Sequence, residues 1–240
     1  MKEKSILLSL VFTHKDSIKL LVLYVLMIAG GIWHLLGWFQ PVMQNSASLA
    51  MGLITLWIVY EYYGLYQSVK KNDRDKRSDF FRLLIWIMSV FIISIAIEEI
   101  GVSTGMIFGE YKYGETLFPF FINVPVAIGF SWINLLLGSM AVVSVIIPGY
   151  SRANPVLISI MIAVLMVVFD FLMEPAAIKL GYWEWKDSMI PVWNYLSWFV
   201  FGFLFAWSAF GTGILRRGIP GITMHAWFAQ LAYFFMVTLK

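Results

Sequence analysis

The stretch ISIMIAVLMVVFDFLMEPAAIKLGYWEW, residues 158–185, combines features that rarely occur together. It begins with a long apolar run that suits the hydrocarbon interior of a membrane. Asp170 and Glu174 follow at a spacing of four, which places both carboxyl groups on one face of a helix. Ionisable side chains inside a membrane-spanning segment are costly and generally mark a functional site. The stretch therefore predicts a membrane helix that carries chemistry.

The composition of the whole chain agrees with a membrane protein. Hydrophobic residues make up 60% and charged residues 13%, whereas soluble domains are about 45–50% apolar and about 25% charged. Spanning helices need roughly 20 mostly apolar residues. Seven runs fit, at about 18–39, 47–66, 83–100, 124–147, 155–177, 193–215 and 219–239. The prediction is an all-α polytopic membrane protein with a single integral membrane domain, residues 1–240.

Lysine and arginine residues are distributed unevenly between the predicted loops. The N-terminal tail and every second loop hold 13 of the 17 basic residues, and the other 4 lie on the opposite side. Because basic residues are retained on the cytoplasmic side, we expect a cell-membrane protein with a cytoplasmic N-terminus and an external C-terminus. The largest basic group lies in the charged segment 67–82, which is predicted to be a cytoplasmic loop.

The segment 101–125, GVSTGMIFGEYKYGETLFPFFINVP, does not fit a regular helix. Its glycines and prolines interrupt helical structure, although aromatic and aliphatic residues remain frequent. It is either a partly re-entrant or interfacial lid, or an ordinary loop that contributes to an aromatic belt. The sequence leaves both possibilities open.

Asp170 and Glu174 are the first candidates for catalysis. Pro175 follows them and lacks an amide proton, so a kink or a helix end is expected here. Carboxyl groups in apolar surroundings, especially neighbouring pairs, favour the protonated form, which can act as an acid. The alternative is a structural role as hydrogen-bond partners of a neighbouring helix.

Glu98 and Glu99 form a second acidic group, at the end of the third run. They lie just before Gly101, a plausible helix C-cap. Adjacent residues point about 100° apart on a helix, so the two side chains cannot face the same cavity. We expect one of them to face Asp170.

Aromatic and amide side chains cluster near these acids in the sequence. Many tyrosines and tryptophans are expected at the membrane interface, where they are common. Beside carboxylic acids they could instead surround a cation, because electron-rich ring faces attract positive charge. The asparagines could orient a water molecule or a carboxyl group. The candidate substrate-binding residues are Tyr111, Tyr113, Trp183, Trp185, Asn123 and Asn194.

A weak internal similarity links the two acidic regions. Glu99 is followed twelve residues later by Tyr111, and Asp170 is followed twelve residues later by Tyr182. The spacing is explained either by an old duplication of a helix and an aromatic loop, or by chance in a chain that is 18% aromatic.

The sequence lacks the usual cofactor and metal patterns. It has no cysteine, its three histidines are scattered, and it has no glycine-rich phosphate loop. The last run has no lysine before Lys240, which argues against a retinal Schiff base. We therefore expect no cofactor and no metal.

An acidic and aromatic membrane site without a cofactor indicates proton chemistry on an apolar substrate. Protonation of a carbon–carbon double bond gives a carbocation, which aromatic walls stabilise. Capture by water gives an alcohol, whereas capture by a second double bond gives a ring. A proton-coupled transporter and a non-catalytic membrane assembly factor are the alternatives.

Five motifs occur in the order found in one known family. They are EEIGVSTGMIFGEYKYG (98–114), NVPV (123–126) with Trp132 after it, DFLMEP (170–175), GYWEW (181–185) and IPVWNYLSWF (190–199). Together they resemble the carotenoid biosynthesis protein family, which includes carotenoid 1,2-hydratases and bisanhydrobacterioruberin hydratases. The resemblance covers roughly residues 98–200.

The resemblance implies cofactor-free addition of water to the terminal C1=C2 double bond of an acyclic carotenoid, giving a tertiary 1-hydroxy group. Asp170, aided by Glu174, would supply the proton. Glu98 or Glu99 would orient and deprotonate the water, together with Asn194. The apolar substrate would come from the lipid bilayer. Other carotenoid-pathway enzymes are possible partners by analogy, and no nucleic acid is expected.

Overall fold

A computed structural model describes residues 14–68, 73–147, 149–213 and 218–240. These ranges contain seven helices, of which the first six, α1 to α6, are long and apolar enough to cross a membrane. The predicted all-α polytopic fold is therefore confirmed. The helices are α1 (His14–Leu36), α2 (Gln40–Ser68), α3 (Asp73–Thr104), α4 (Val126–Ile146), α5 (Pro155–Lys179), α6 (Val192–Thr212) and α7 (Gly221–Thr238).

Helix α3 is longer at both ends than the sequence indicated. It begins at Asp73, so most of the predicted charged loop 67–82 is helical, and residues 69–72 lie outside the described ranges. Lysine and arginine are good helix formers, so a charged sequence can continue the helix beyond its apolar part. At the other end of α3, Gly101 is not the C-cap that the sequence indicated. The helix runs to Thr104 and ends at Gly105, where φ is 67° and the amide donates to the Gly101 carbonyl at 2.8 Å.

Pro175 does not end helix α5. The helix continues through Pro175 to Lys179, so a helix end at this position is a wrong prediction. A proline inside a helix removes one backbone hydrogen bond, but the packing of α5 against α4, α6 and α7 retains the helical path. Asp170 and Glu174 consequently stay on one helical face, and both are buried.

Helix α4 lies at the centre of the bundle. Fifteen of its 21 residues are buried, and it packs against α2, α3, α5 and α7. The close approach of α7 depends on Gly138, because a Cβ atom there would lie 2.6 Å from the Trp227 ring. Many large apolar side chains of the surrounding helices are exposed, as a surface in contact with lipid tails requires.

Short strands form at one end of the bundle, the strand end, where α3 and α5 end and α4 and α6 begin. β1 (Tyr111–Tyr113) pairs antiparallel with β4 (Trp183–Trp185), and β2 (Phe120–Phe121) pairs antiparallel with β3 (Val124–Pro125). The predicted irregular character of segment 101–125 is confirmed. It holds a helix end, a single 3-10 turn and three of these strands. The β1–β4 ribbon joins segments that are far apart in the sequence.

Candidate active site

A cavity of about 50 Å³ lies inside the bundle at its strand end. Side chains from α2 to α7 and from the β1–β4 ribbon line it. Three of them carry carboxyl groups, Glu98, Asp170 and Glu174, and each of these residues is at most 4% exposed. Acidic residues are almost never fully buried unless they are paired. This concentration of buried acids makes the cavity the candidate active site.

The β1–β4 ribbon directs four aromatic side chains toward the acids. Successive residues of a strand point to opposite faces, so the first and third residues of each strand face the cavity. The middle residues, Lys112 and Glu184, face away and form an exposed ion pair with a 3.1 Å separation. The cavity-lining residues of the ribbon are Tyr111, Tyr113, Trp183 and Trp185.

The carboxyl group of Glu98 accepts three hydrogen bonds. The hydroxyl groups of Tyr111 and Tyr113 donate to Oε2 at 2.6 and 2.8 Å. The indole N–H of Trp132 donates to Oε1 at 2.9 Å. Since the donors come from β1 and α4, they fix the acid of α3 relative to both elements.

Tyr111 and Tyr113 act as neutral hydrogen-bond donors. Burial, and then the nearby Glu98 carboxyl group, raise the pKa of both phenols well above the ordinary tyrosine value. Neither phenol is therefore expected to lose its proton in the physiological pH range. Both can hold Glu98 throughout that range.

Glu174 is held by the other strand of the ribbon. The indole N–H groups of Trp183 and Trp185 both donate to Oε2 of Glu174 at 3.0 Å. Tryptophan can only donate, so this oxygen serves as an acceptor in both bonds. The ribbon thus fixes two acids, Glu98 through β1 and Glu174 through β4.

Asp170 differs from the other two acids because one of its oxygens lacks a partner. Asn194 donates from Nδ2 to Oδ2 at 2.8 Å. Oδ1 is buried and has no hydrogen bond to any residue that the structure describes. An unpaired buried polar atom is costly, and native proteins contain few of them. Oδ1 is therefore available to a molecule in the cavity.

Glu99 and Asn123 do not line the cavity. The Asn123 side chain donates to Oε1 of Glu99 at 2.7 Å, and its backbone amide donates to Oε2 at 3.0 Å. Ser103 donates to Oε1 at 2.9 Å. The structure thus brings Glu98, and not Glu99, together with Asp170. Because successive helical residues point about 100° apart, both glutamates could not face the cavity.

Several cavity-lining residues were not singled out as site residues from the sequence. Trp132 and Trp198 stack with ring centroids 3.8 Å apart and planes 5° apart, and both line the cavity with Gln230. Trp132 and Trp198 had a signal, because both belong to the quoted motifs. Gln230 had another, since it is a polar residue within an apolar helix. Local sequence patterns could not indicate that these helices face one another.

The chain is similar to known proteins over most of its length. The family model described as "Carotenoid biosynthesis protein" matches residues 48–239. The curated bisanhydrobacterioruberin hydratase of Haloarcula japonica is 27% identical over 137 residues. That match covers 55% of this chain and 46% of the relative, so the chain matches less than half of the relative's length. No solved structure matches the chain.

Proposed function

Because this chain belongs to the carotenoid biosynthesis protein family, we propose that it adds water to the terminal C1=C2 double bond of an acyclic carotenoid. The product is a tertiary 1-hydroxy carotenoid, and the activity is that of a carotenoid 1,2-hydratase. The observation that carries this proposal is the unpaired, buried Oδ1 of Asp170 in a cavity shared with Glu98. The hydratase name of the Haloarcula japonica relative supports a hydration.

In the first step, Asp170 donates the proton on Oδ1 to C2 of the double bond. The π electrons form the new C–H bond, and positive charge develops on C1. The hydrogen bond from Asn194 to Oδ2 stabilises the carboxylate that remains. Glu174 lies four residues along the same helix face and lines the same cavity. A negative charge on Glu174 would favour the developing cation.

Aromatic rings surround the position of this cation. Tyr111 and Trp185 lie side by side, with ring centroids 5.0 Å apart, and Trp132 stacks on Trp198 at the cavity wall. Ring faces stabilise a nearby positive charge by about 0.5–2 kcal/mol each, with the larger values in dry sites. The apolar walls also limit the number of water molecules that compete for the cation.

In the second step, a water molecule held by Glu98 attacks C1. A lone pair of the water oxygen forms the C–O bond, and the released proton passes to the Glu98 carboxylate. The tertiary alcohol is then complete. Transfer of that proton from Glu98 to Asp170 through the cavity restores both acids, so the net reaction consumes one water and no cofactor.

The small cavity favours water capture over ring formation. The cavity has a volume of about 50 Å³, which is enough for water, since a polar cavity of roughly 10–15 Å³ can already hold one water molecule. It suits the narrow, branched tip of a polyene together with a water molecule. Cyclisation requires the chain to fold back within the cavity, which needs more room than a linear tip.

The proposed setting is the cell membrane, with the N-terminus in the cytoplasm. The carotenoid is then dissolved in the bilayer and reaches the site with its chain between the helices. The strand end lies at the external face in this orientation, because α3 and α5 both end there. Association with other carotenoid-pathway enzymes belongs to the same proposal.

The experiment that tests the reaction is product analysis in cells that accumulate lycopene. The chain is expressed there, and the pigments are separated by liquid chromatography and identified by mass spectrometry. We expect a mass gain of one water per modified end with an unchanged polyene absorption spectrum. An isomer of unchanged mass with a shortened chromophore would indicate a cyclase. If neither lycopene nor other acyclic carotenoids gained water, the proposed activity would be wrong.

A further inference from the structure

A second, larger space lies beside the cavity, on the open side of strand β1. This strand-end groove has a volume of about 900 Å³. It is bounded by the last turn of α3, by residues 111–115 and by the later loop residues Phe118, Phe120, Ile122 and Asn123. Ser103, Lys112 and Glu115 are among its lining side chains. Unlike the buried cavity, it opens at the strand end of the bundle. Nothing in the proposed catalytic steps uses it.

The groove and the cavity share a wall. Tyr111 and Tyr113 line both spaces, and both tyrosines are only partly buried. The hydroxyl groups at the inner ends of these side chains donate to Oε2 of Glu98. One layer of two phenol rings therefore separates the groove from the acid that binds water in the proposed reaction.

The groove has a mixed lining, with apolar residues such as Phe118, Phe120 and Ile122 beside polar and charged ones that suit water. Ser103 and Asn123 both donate to Glu99 at its edge. Lys112 and Glu115 are charged and exposed. Charged groups strongly disfavour the hydrocarbon region of a bilayer, so this opening belongs at an aqueous face.

Other residues that line the cavity are apolar or aromatic. They include the stacked Trp132 and Trp198, together with Met173 and Phe234. These side chains suit the carotenoid chain. Tyr111 and Tyr113 differ from them because they also line the groove.

We propose that the strand-end groove is the route by which water reaches Glu98, and that Tyr111 and Tyr113 form the barrier that water crosses. This inference rests on the proposed hydration, because each turnover consumes a water that a filled 50 Å³ cavity cannot store in reserve. An entering water molecule displaces one tyrosine hydroxyl group and takes its place as a hydrogen-bond donor to Glu98. The exchange needs no movement of the helices.

The test blocks the groove without changing the cavity. The chain has no cysteine, so Ser103→Cys gives a single thiol at an exposed groove position that lies outside the cavity. A bulky, charged methanethiosulfonate reagent is attached and later removed with a reductant. Because the same variant is compared before and after labelling, a folding defect cannot imitate the effect. Lys186→Cys is the matched control, since Lys186 is exposed on the β4 side and does not line the groove.

Two readouts are measured on each preparation. Labelled Ser103→Cys is expected to hydrate carotenoid at least about tenfold more slowly in kcat, with little change in KM, and to recover on reduction. In X-ray hydroxyl-radical footprinting, which needs no substrate, oxidation of the buried cavity residue Met173 should fall in parallel. Labelled Lys186→Cys should change neither.

The outcomes separate this inference from the proposed reaction. An unchanged rate of Met173 oxidation in labelled Ser103→Cys overturns the water route, whatever the activity. A decrease in Met173 oxidation supports the route even if no hydrated product forms, and in that case only the proposed reaction fails. Full hydration activity of the labelled variant also overturns the route.

Discussion

At the residue scale, the three buried acids differ in the number of donors that each receives. Glu98 accepts three hydrogen bonds and Glu174 accepts two, all from neutral phenol or indole groups. Asp170 accepts one, from Asn194, and retains a free oxygen. This difference assigns different proposed roles to chemically similar side chains. The fixed acids hold water or charge, and the acid with the free oxygen transfers the proton.

Replacing Asp170 by asparagine should abolish proton donation while preserving side-chain volume. We expect Asp170→Asn to lower kcat by about 10²–10⁴-fold, the usual range for loss of a general acid, measured as hydrated carotenoid formed by membranes that contain equal amounts of protein. Glu99→Gln is the control, because Glu99 lies outside the cavity, and it should keep activity within about threefold. Normal hydration by Asp170→Asn would refute the assignment of the acid.

Removing the Tyr111 hydroxyl tests the proposed role of Glu98. Tyr111→Phe keeps the ring but deletes the 2.6 Å hydrogen bond to Glu98. Loss of one such bond is worth about 1.4 kcal/mol, so we expect roughly a tenfold lower kcat. Lys112→Ala, on the outer face of the same strand, should be nearly silent. Equal losses in both variants would mean that the strand matters only for folding.

At the element scale, the β1–β4 ribbon joins two similar units of the chain. Glu98 precedes Tyr111 and Tyr113 by 13 and 15 residues, and Asp170 precedes Trp183 and Trp185 by the same intervals. Each unit consists of a helix, a strand and a following helix, and the two strands pair antiparallel. The spacing of twelve seen in the sequence, between Glu99 and Tyr111 and between Asp170 and Tyr182, is therefore one residue shorter than the structural spacing. Glu98 rather than Glu99 lines the cavity, and β4 begins at Trp183 rather than Tyr182.

The ribbon depends on close backbone contact at Gly114. Its amide donates to the Tyr182 carbonyl at 2.9 Å, and a Cβ atom at Gly114 would overlap the Gly181 carbonyl oxygen. We expect Gly114→Ala to destabilise the protein by about 1–3 kcal/mol and to lower the thermal unfolding midpoint in detergent.

The matched control for this change is Gly64→Ala in α2. No described atom lies within 4 Å of a Cβ atom at Gly64, and alanine is favoured over glycine in a helix by about 1 kcal/mol. Its unfolding midpoint should stay the same or rise. A Gly114→Ala protein as stable as Gly64→Ala would show that the ribbon tolerates a wider separation.

At the scale of the whole molecule, charge and fold divide the bundle into two ends. The strand end contains the buried acids, the ribbon and the strand-end groove. The start of α3, at the opposite end, belongs to the chain's largest group of lysines and arginines. Because basic residues are retained on the cytoplasmic side of a membrane, the end of the bundle where α3 begins is predicted to be cytoplasmic. The strand end is therefore predicted to be external.

This orientation can be measured with single cysteines, because the natural chain has none. Glu184→Cys lies on the exposed face of the ribbon, and Arg77→Cys is exposed near the start of α3. In intact cells, a membrane-impermeant maleimide should label Glu184→Cys, whereas Arg77→Cys should react only after lysis. The reverse pattern would place the buried acids near the cytoplasm.

The sequence by itself determined the membrane class and the helices, and it indicated which acids are candidates for the site. A long apolar run indicates a spanning helix whatever the rest of the fold is. A carboxyl group within such a run indicates a function, because burying it in a membrane is costly. Asp170 and the pair Glu98 and Glu99 were therefore recognisable as candidates before the structure was known. The helix ends at Gly105 and beyond Pro175 were not, because packing against neighbouring helices decides such boundaries.

Only the tertiary structure decided which side chains meet. Glu98 and Glu99 are equivalent in the sequence, and the rotation of α3 against α4 and the ribbon places only Glu98 in the cavity. The pairing of Tyr111 with Trp185 spans 74 positions, and no local pattern encodes the register of strands so far apart. Long-range contacts depend on how all the helices pack at once, which explains why Trp132, Trp198 and Gln230 were identified as cavity residues only from the structure.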